Sequence, residues 1–289
     1  MHRLRPAHRH EPRALSRVPR EGAGARPGPR RALRVRPTAL PRAVRAVLGA
    51  ERVGGAEVIC DPDLRLGRWQ DVLADVAECD ALITDPPYSE RTAKGCRTGP
   101  DADKLTGIAY GHIVEGDAVE LAALWAPRVR RWAVIFCDHV AWPWHEAAWS
   151  RQGWTTFAPV AWVKHGAPPR LCGDGPASHV DHILVARPRS LRPDGSRPGW
   201  YAAKALRHEC GKTGVTGSKD PYAMRALVRD YTRRGDLVVD PYAGSGTTAW
   251  ACRAEGRRCI TSEMDTGRYE IARRRLTMWT PEFWAEDAP

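Results

Sequence analysis

From about residue 55 onward, short apolar runs alternate with stretches whose apolar residues recur three or four positions apart. An apolar run that ends at a turn residue is typical of a buried strand. Such runs predict strands at 56–60, 81–84, 132–136, 160–163, 183–186, 236–240 and 258–262. Helical spacing predicts helices at 115–126, 142–152, 221–233, 247–255 and 266–277. This alternation predicts an α/β domain with a doubly wound, mostly parallel sheet.

Three segments do not follow the alternation. Residues 89–114 and 188–218 are polar and rich in Gly and Pro, as loops are. Residues 1–37 are rich in Arg, Pro and Gly and cannot bury enough apolar surface to offset the entropy lost on ordering. We therefore predict a disordered Arg/Pro-rich tail over 1–48 and a folded domain over 49–289.

The net charge of +11 has a local origin, since residues 1–50 hold thirteen Arg, no Lys and two Glu. In the remaining residues the acidic and basic side chains cancel. Composition therefore does not make the folded part a nucleic-acid binder, and only a local basic face could guide DNA onto it.

The eight Cys form no C-x-x-C pair, which argues against a zinc ribbon or a disulfide framework. His179 and His182, with Cys172 nearby, lack the spacing of a known metal site, so no metal is expected. No apolar run approaches the roughly eighteen residues of a membrane helix. We expect a cytoplasmic protein with no membrane contact.

Asp85-Pro86-Pro87-Tyr88 directly follows the predicted strand 81–84. Open α/β sheets bind ligands at the carboxyl ends of their strands, so the tetrapeptide stands where a site is expected. Two consecutive prolines restrict the backbone and have no N–H, so the Asp85 carboxylate and the Pro86 carbonyl can both act as acceptors. An exocyclic amino group offers two N–H donors, and Tyr88 offers a ring face for a flipped base. The motif predicts a site that orients an amino nitrogen, with a rigid turn as the structural alternative.

A second motif, residues 240–248, reads Asp-Pro-Tyr-Ala-Gly-Ser-Gly-Thr-Thr and joins a predicted strand to a predicted helix. Its glycines let the backbone approach a ligand, and the helix start presents free N–H groups. Glu263 follows Gly246 by 17 residues, at the end of the next strand, where a carboxylate can bind ribose hydroxyls. The arrangement suits an adenosine-containing cofactor. Because the loop also satisfies G-x-G-x-x-A, a nicotinamide dinucleotide stays an alternative.

Together the two motifs resemble the DNA amino-methyltransferase family, which transfers a methyl group from S-adenosylmethionine to adenine N6 or cytosine N4. The tetrapeptide precedes the glycine loop by about 155 residues, which resembles the beta-group order found mainly in bacterial and phage enzymes. The resemblance covers roughly residues 55–277 and implies a Rossmann-like methyltransferase fold. It also implies S-adenosylmethionine as cofactor and double-stranded DNA as partner.

By this resemblance, Asp85, Pro86, Pro87 and Tyr88 form the catalytic motif. The residues that match cofactor-binding positions are Asp240, Tyr242, Gly244, Gly246, Thr247, Glu263 and Lys219. Lys219 falls where the family has a Lys-Pro element near the methionine end of the cofactor, but Asp220 stands here in place of the proline. Arg68, in the segment 66–69, replaces the acid of a common Gly-Asp pair ahead of the catalytic strand.

Basic residues near the catalytic motif could contact DNA phosphates, although a solvated loop would carry the same charges. Loop 91–104 supplies Arg91, Lys94 and Arg97. Segment 188–216, with Arg192 and Arg197, lies where beta-group enzymes place their target-recognition region. We predict that these five residues bind DNA and that 188–216 is a small target-recognition insertion, whose length suits a short target sequence or loose specificity.

The implied reaction is a direct transfer in which a base leaves the stack and its amino nitrogen attacks the sulfonium methyl. Adenine N6 is favoured over cytosine N4 because family members with Asp at the first motif position are mostly adenine enzymes. A nicotinamide-dependent oxidoreductase and a catalytically dead, DNA-binding methylase fold are the alternatives from other classes. The oligomeric state stays open, with a homodimer as one option.

Overall fold

The computed structural model describes residues 61–95, 111–167, 176–192, 194–204 and 218–278, without the side chains of 93–95. All of these fall within one compact unit of the chain, Ala56–Pro289. The predicted tail 1–48 and the predicted strand 56–60 lie outside the described residues. So do Arg97 in loop 91–104 and the last part, 205–216, of the predicted target-recognition insertion.

Strands and helices alternate along the described chain. Their bounds are β1 (Asp63–Leu66), α1 (Trp69–Val72), β2 (Cys79–Thr84), α2 (Glu90–Gly95), α3 (Glu115–Trp125), β3 (Val129–Cys137), α4 (Trp142–Arg151), β4 (Trp154–Thr156), β5 (Val160–His165), β6 (Val180–Pro188), β7 (Trp200–Lys204), α5 (Pro221–Tyr231), β8 (Leu237–Asp240), α6 (Thr247–Ala254), β9 (Arg258–Glu263) and α7 (Thr266–Thr277). Every strand and helix predicted within the described residues is present, with ends shifted by at most a few positions.

The described strands form one mixed sheet in the order β1-β9-β8-β2-β3-β6-β5-β7, and β4 pairs with β6. Neighbours from β1 to β3 are parallel. Strand β6 runs antiparallel to β3, β4 and β5, and β7 runs parallel to β5. The predicted mostly parallel sheet is therefore confirmed.

Both faces of the sheet are covered by helices, which is why β2 is buried at every position. On one face, Met224 and Leu227 of α5 and Trp250 of α6 belong to the same core cluster as Ile83 of β2. On the other face, the core cluster around Leu82 contains the following residues of α3 and α4: Leu121, Ala122, Trp125, Ala148 and Trp149. This double cover gives the sheet the rigidity that a site at its edge requires.

Part of the predicted insertion 188–216 belongs to the sheet. Residues 200–204 form β7, which pairs with β5 along its length. Tyr201 and Ala203 are buried while the alternate positions are exposed, so one face of the strand contributes to the core. The strand is only five residues long and stands between Gly- and Pro-rich flanks, so its short apolar run was read as part of the loop.

The prediction also missed β1, α1, α2 and β4, all short elements. α2 falls inside the predicted polar interruption 89–114, directly after the catalytic tetrapeptide. Among the described residues, no helix combines the length and apolarity needed to cross a membrane.

Parallel pairing brings the carboxyl ends of β2, β8 and β9 to one edge of the sheet. The Thr84 hydroxyl, last in β2, donates to the carboxylate of Asp240, last in β8, at 2.7 Å. Glu263 ends β9 one strand further along. The sheet thus gathers the two sequence motifs and Glu263 although more than a hundred residues separate Thr84 from Asp240.

Candidate active site

A cleft opens at this edge of the sheet, between the tetrapeptide, the glycine loop and the end of β9. It is lined by Asp85, Pro87, Ser218, Lys219, Met224, Asp240, Tyr242, Ala243, Gly244, Ser245, Thr247, Thr248, Glu263, Met264 and Arg268. Most cofactor positions named from the sequence therefore face one cavity, together with Asp85. Gly246 is not in this lining and has a structural role instead.

The glycine loop depends on backbone conformations that favour glycine. Gly244 has φ +54° and Gly246 has φ +78°. A Cβ on Gly246 would lie 3.2 Å from Cβ of Ala272 in α7, whereas a Cβ on Gly244 would meet nothing within 4 Å. Gly246 thus allows the loop to pack against α7, and Gly244 keeps the cleft open.

Asp240 fixes the start of this loop from inside the protein. The same carboxylate oxygen that accepts from Thr84 also accepts from the backbone N–H of Tyr242, at 3.0 Å. Only 1% of Asp240 is exposed. Burial raises the pKa of the Asp240 carboxyl to about 6, although its hydrogen bonds oppose that rise. Asp240 therefore links the ends of β8 and β2 through a buried hydrogen bond, and it also lines the cleft.

Glu263 holds the other side of the loop. Its carboxylate accepts from the backbone N–H of Gly244 and from that of Asp265, each at 2.9 Å. Burial raises the pKa of Glu263, and these two N–H groups oppose the rise. Each carboxylate oxygen still has acceptor capacity for a ligand hydroxyl. The residue predicted to bind ribose therefore also shapes the loop that would carry the rest of the cofactor.

Arg275 supports the loop from α7 and was not foreseen from the sequence. Its guanidinium donates to the Ser245 carbonyl at 2.6 Å, and to the Ser245 and Thr247 hydroxyls at 2.7 and 3.2 Å. Ser218 donates to the Ser245 hydroxyl at 2.9 Å and so ties the Lys219 segment to the loop. An arginine in an amphipathic helix reads as a solvent-exposed residue, so the sequence carried no signal for this role.

Trp69 and Tyr242 form the wall of a second recess that continues the cleft past Glu263. The Trp69 indole N–H donates to the Tyr242 hydroxyl at 3.0 Å. Arg68, which stands in place of the expected acid, is exposed and lines the same recess. A cation rather than a carboxylate thus faces this part of the cleft.

Lys219 lies against the catalytic tetrapeptide. Its ammonium donates to Asp85 Oδ2 at 2.7 Å and to the Tyr88 hydroxyl at 3.0 Å. Asp220, which stands where a proline was expected, caps α5 by accepting from the N–H groups of Tyr222 and Ala223. It also accepts from the Lys204 N–H at 2.5 Å. Asp220 thus fixes the segment that presents Lys219.

The second oxygen of Asp85, Oδ1, is buried and has no hydrogen-bond partner among the described residues. Burial raises the pKa of the Asp85 carboxyl above its usual range, and the Lys219 ammonium opposes this rise. An acceptor without a donor is costly inside a protein, so it marks a place where a ligand donor would be stabilised.

Ser89 anchors the tetrapeptide to the neighbouring strand. Its N–H donates to the Asp138 carboxylate at 3.0 Å, and its hydroxyl donates to the same oxygen. The other Asp138 oxygen accepts from the N–H groups of Val140 and Ala141 at 3.0 and 2.8 Å. Asp138 therefore fixes the end of the catalytic motif relative to β3 and α4.

The basic residues predicted to bind DNA have different environments. Arg91 in α2 and Arg192 after β6 are exposed. Lys94 lies in α2, but its side chain, like all of Arg97, lies outside the described part of the chain. The guanidinium of Arg197 packs against the protein, 4.2 Å from the ring centre of Trp132. It also donates to the Asp230 carbonyl at 2.9 Å and to the Asp194 carboxylate at 2.7 Å.

No group of His, Cys, Asp and Glu within the described residues could hold a metal ion. His179 and His182, set aside as ligands from their spacing, do not form such a group there.

A family model described as DNA methylase, whose name covers N6 and N4 methyltransferases, matches residues 200–274. This span contains Lys219, the glycine loop and Glu263, but not the tetrapeptide at 85–88. The type II methyltransferase M.Cfr9I of Citrobacter freundii is 26% identical over 159 residues, which are 48% of this chain and 50% of that protein. The putative methylase YubD of Escherichia coli (strain K12) is 25% identical over 209 residues, 68% of this chain and 81% of YubD.

The chain thus spans about half the length of the Citrobacter relative. The crystal structure of the M1.HpyAVI-SAM complex is similar to this chain with a TM-score of 0.58 and 22% identity, covering 75% of this chain and 99% of that one. This likeness confirms the predicted Rossmann-like methyltransferase fold. The match over residues 200–274 and the methyltransferase relatives show that this part of the chain is similar to DNA amino-methyltransferases of the N6/N4 family.

Proposed function

We propose that the chain is an S-adenosylmethionine-dependent DNA methyltransferase that acts on the exocyclic amino group of adenine, N6. The observation that carries the proposal is the orphaned Oδ1 of Asp85. Asp85 lines the same cleft as the glycine loop and Glu263. One cavity thus combines an acceptor for an amino proton with a cradle for an adenosine-containing group.

The cleft fits S-adenosylmethionine on three counts. Gly244 leaves open space where any other residue would place a Cβ. Glu263 offers a carboxylate for ribose hydroxyls, and its attachment to the loop fixes the distance between the two. Asp85 and Glu263 place negative charge around a cleft that would receive a sulfonium cation. When bound, S-adenosylmethionine supplies an electrophilic methyl group.

The residues of the tetrapeptide act on the target base. Asp85 Oδ1 accepts a hydrogen bond from the amino group and so orients its lone pair toward the methyl group. The nitrogen gains positive charge as its bond to the methyl carbon forms and the methyl–sulfur bond breaks, and the adjacent carboxylate stabilises that charge until the nitrogen loses one proton. The Tyr88 ring is half-buried beside Asp85 and provides a stacking face for a base that has left the duplex.

Adenine is proposed as the target because Asp stands first in the motif, which in this family accompanies adenine N6 more often than cytosine N4. Cytosine N4 is the second candidate, since both bases present an amino group to the same acceptors and the matching family model covers both. Methylation-sensitive sequencing of DNA from a methylation-free host that expresses this chain would identify the base and its sequence context.

The double-stranded DNA substrate would lie over the tetrapeptide, where exposed Arg91, in the helix α2 that follows it, can reach phosphates. Arg192 follows the end of β6, which pairs with the first half of β3, so it lies toward the opposite edge of the sheet. Recognition of a target sequence is assigned to the part of 188–216 that does not belong to β7.

The direct test is transfer of tritium-labelled methyl groups to unmethylated DNA by the purified chain. Asp85→Ala should lower turnover by on the order of a hundredfold or more, since it removes a charge-stabilising acceptor. Cofactor affinity should stay within a few-fold, because Asp85 faces the base. Asp75→Ala is the matched control, since Asp75 is an exposed carboxylate whose ion pair with Arg65 lies away from the cleft.

Comparable turnover in Asp85→Ala would contradict the assignment of the catalytic motif. Protection from thermal unfolding by NADH but not by S-adenosylmethionine would favour an oxidoreductase instead. Binding of cofactor and DNA without transfer would indicate a catalytically dead methylase fold.

A further inference from the structure

Four charged side chains alternate in sign from the catalytic motif outward: Asp85, Lys219, Asp181 and Lys164. The Lys219 ammonium lies 2.7 Å from Asp85 Oδ2 and 3.7 Å from Asp181 Oδ2. The Lys164 ammonium lies 2.7 Å from Asp181 Oδ1. The side chains of Lys219 and Asp181, in the middle of the row, are each 10% exposed. The row is thus most buried at its centre.

Charge balance in this row matters for the proposed reaction. In a buried site an uncompensated charge acts strongly on its neighbours because little water screens it. Lys219 alone would offset the negative charge of Asp85, and that charge is what stabilises a nitrogen becoming positive. A second carboxylate on the far side of Lys219 cancels the ammonium and preserves the effect of Asp85.

We propose that Asp181 is a positioning residue for methyl transfer: it holds Lys219 in place and cancels its charge, so that Asp85 remains an effective anion toward the target nitrogen. This inference rests on the proposed function. Asp181 does not line the cleft and acts through Lys219. Its place in β6 is fixed by pairing with Trp162 of β5, the strand that also carries Lys164.

A shift in the pKa of Asp85 would distinguish the proposed role of Asp181 from a loss of folding. Burial raises the pKa of Asp85, Lys219 lowers it, and Asp181 raises it further. Lys219 and Lys164 hold the pKa of Asp181 below its usual value against the effect of burial. Among the described residues, Tyr88 and Cys137 also interact electrostatically with both carboxylates, and Asp240 interacts with Asp85. Without the Asp181 charge, the pKa of Asp85 should fall.

The test measures kcat against pH at saturating DNA and cofactor. Asp181→Asn should lower kcat by about tenfold, less than the roughly hundredfold that loss of a direct contact costs. It should also move the acid limb of the profile to lower pH. Cofactor affinity should change by no more than a few-fold, and Asp181→Glu should restore most of kcat because it keeps the charge.

Lys164→Gln is an independent variant that should shift the acid limb of the pH profile in the opposite direction. Lys164 lies at the outer end of the row and its side chain is 29% exposed, so its removal threatens folding less. Without this cation, Asp181 should attract the Lys219 ammonium more strongly and weaken its ion pair with Asp85. The pKa of Asp85 should then rise. The acid limb should then move to higher pH.

Asp80→Asn is the matched control, since Asp80 is a buried carboxylate at the opposite end of the sheet. It pairs with Arg130 at 2.9 Å and accepts from the Leu237 N–H at 2.8 Å. Its loss should reduce stability and leave the acid limb in place. An unmoved limb in both Asp181→Asn and Lys164→Gln, or an equal shift in Asp80→Asn, would overturn the inference. Failure of the wild-type chain to transfer methyl at any pH would instead contradict the proposed function.

Discussion

At the residue scale, the carboxylate of Glu263 has two roles. It is predicted to bind the cofactor ribose, and it also holds the backbone of the glycine loop. The motif predicts a ribose acceptor, and the structure adds two backbone N–H groups bound to the same carboxylate. Glu263→Ala should therefore weaken cofactor binding through a lost charge-assisted hydrogen bond, worth roughly 1.5–3 kcal/mol or about ten- to a hundredfold in Kd. It should also loosen the loop at Gly244, which adds to the loss.

Calorimetric titration with S-adenosylmethionine measures this effect. Glu270→Ala is a suitable control, because Glu270 lies on α7 in an exposed ion pair with Arg273. Cofactor binding by Glu263→Ala that matches the wild-type chain would show that the ribose acid lies elsewhere.

Two predicted DNA-binding arginines differ in environment: Arg197 packs against Trp132, whereas Arg192 is exposed. Arg197 stacks on Trp132, so its replacement by Ala should lower the free energy of unfolding by about 1–2 kcal/mol through lost cation–π and hydrogen-bond contacts. Arg192→Ala should leave stability unchanged because its side chain is exposed, and Arg91→Ala should reduce the salt dependence of DNA affinity because a phosphate contact beside the tetrapeptide is lost. Urea unfolding and DNA binding at several salt concentrations measure the two effects. A stable Arg197→Ala variant with weakened DNA binding would restore the sequence-based prediction.

The residues that the sequence could identify are those whose pattern is local. Residues 85–88 and the glycine loop are each a continuous stretch of sequence, so their chemistry could be predicted before the fold was known. Asp181 and Arg275 contribute through contacts formed only by folding, and each stands in a segment that reads as an ordinary strand or helix. Lys219 was identified, but its contact with Asp85 depends on the approach of segments 134 residues apart.

At the scale of elements, the predicted strands share continuous apolar runs because both of their faces are covered. Strands β1, β4 and β7 lie at or near the margins of the sheet and have only three to five residues each, so their sequence patterns were too short to identify. The consequence for function is that 200–204 cannot serve as a free recognition loop.

The contact between the ends of β2 and β8 predicts how stability depends on pH. Burial raises the pKa of Asp240 in the folded chain from 3.8 to about 6. Between these values the folded state binds more protons than the unfolded state, so stability should fall as pH rises from about 4 to about 6. Asp240→Asn keeps an acceptor for Thr84 and Tyr242 without the buried charge. It should stabilise the chain at pH 7 by on the order of 2–3 kcal/mol.

Thermal unfolding from pH 4 to pH 8 checks this prediction. The gain from Asp240→Asn should be largest above pH 6 and small near pH 4, where Asp240 is protonated in the folded state and partly protonated in the unfolded state. Asp80→Asn, which removes a carboxylate bound to Arg130, should instead destabilise at pH 7. A gain from Asp240→Asn that is independent of pH would show that the charge is not the cause.

At the scale of the whole molecule, positive charge and proposed chemistry occupy different parts of the chain. The thirteen Arg that account for the net charge all precede residue 49, whereas every residue assigned to the cleft follows it. Deleting residues 1–48 should therefore preserve cooperative unfolding and leave methyl transfer measurable at saturating DNA. If the tail contacts phosphates as a flexible polycation, its loss should weaken binding to all DNA sequences alike and flatten the salt dependence.

Affinity and salt slope that match the full chain would show that the tail makes no contact with DNA, and its Pro-rich composition favours this result. In both cases sequence preference should stay unchanged, because phosphates carry no sequence information. Comparison of DNA binding and transfer by the full and shortened chains distinguishes the two. A shortened chain that unfolds cooperatively but transfers no methyl groups would contradict the assignment of the catalytic unit to residues 49–289.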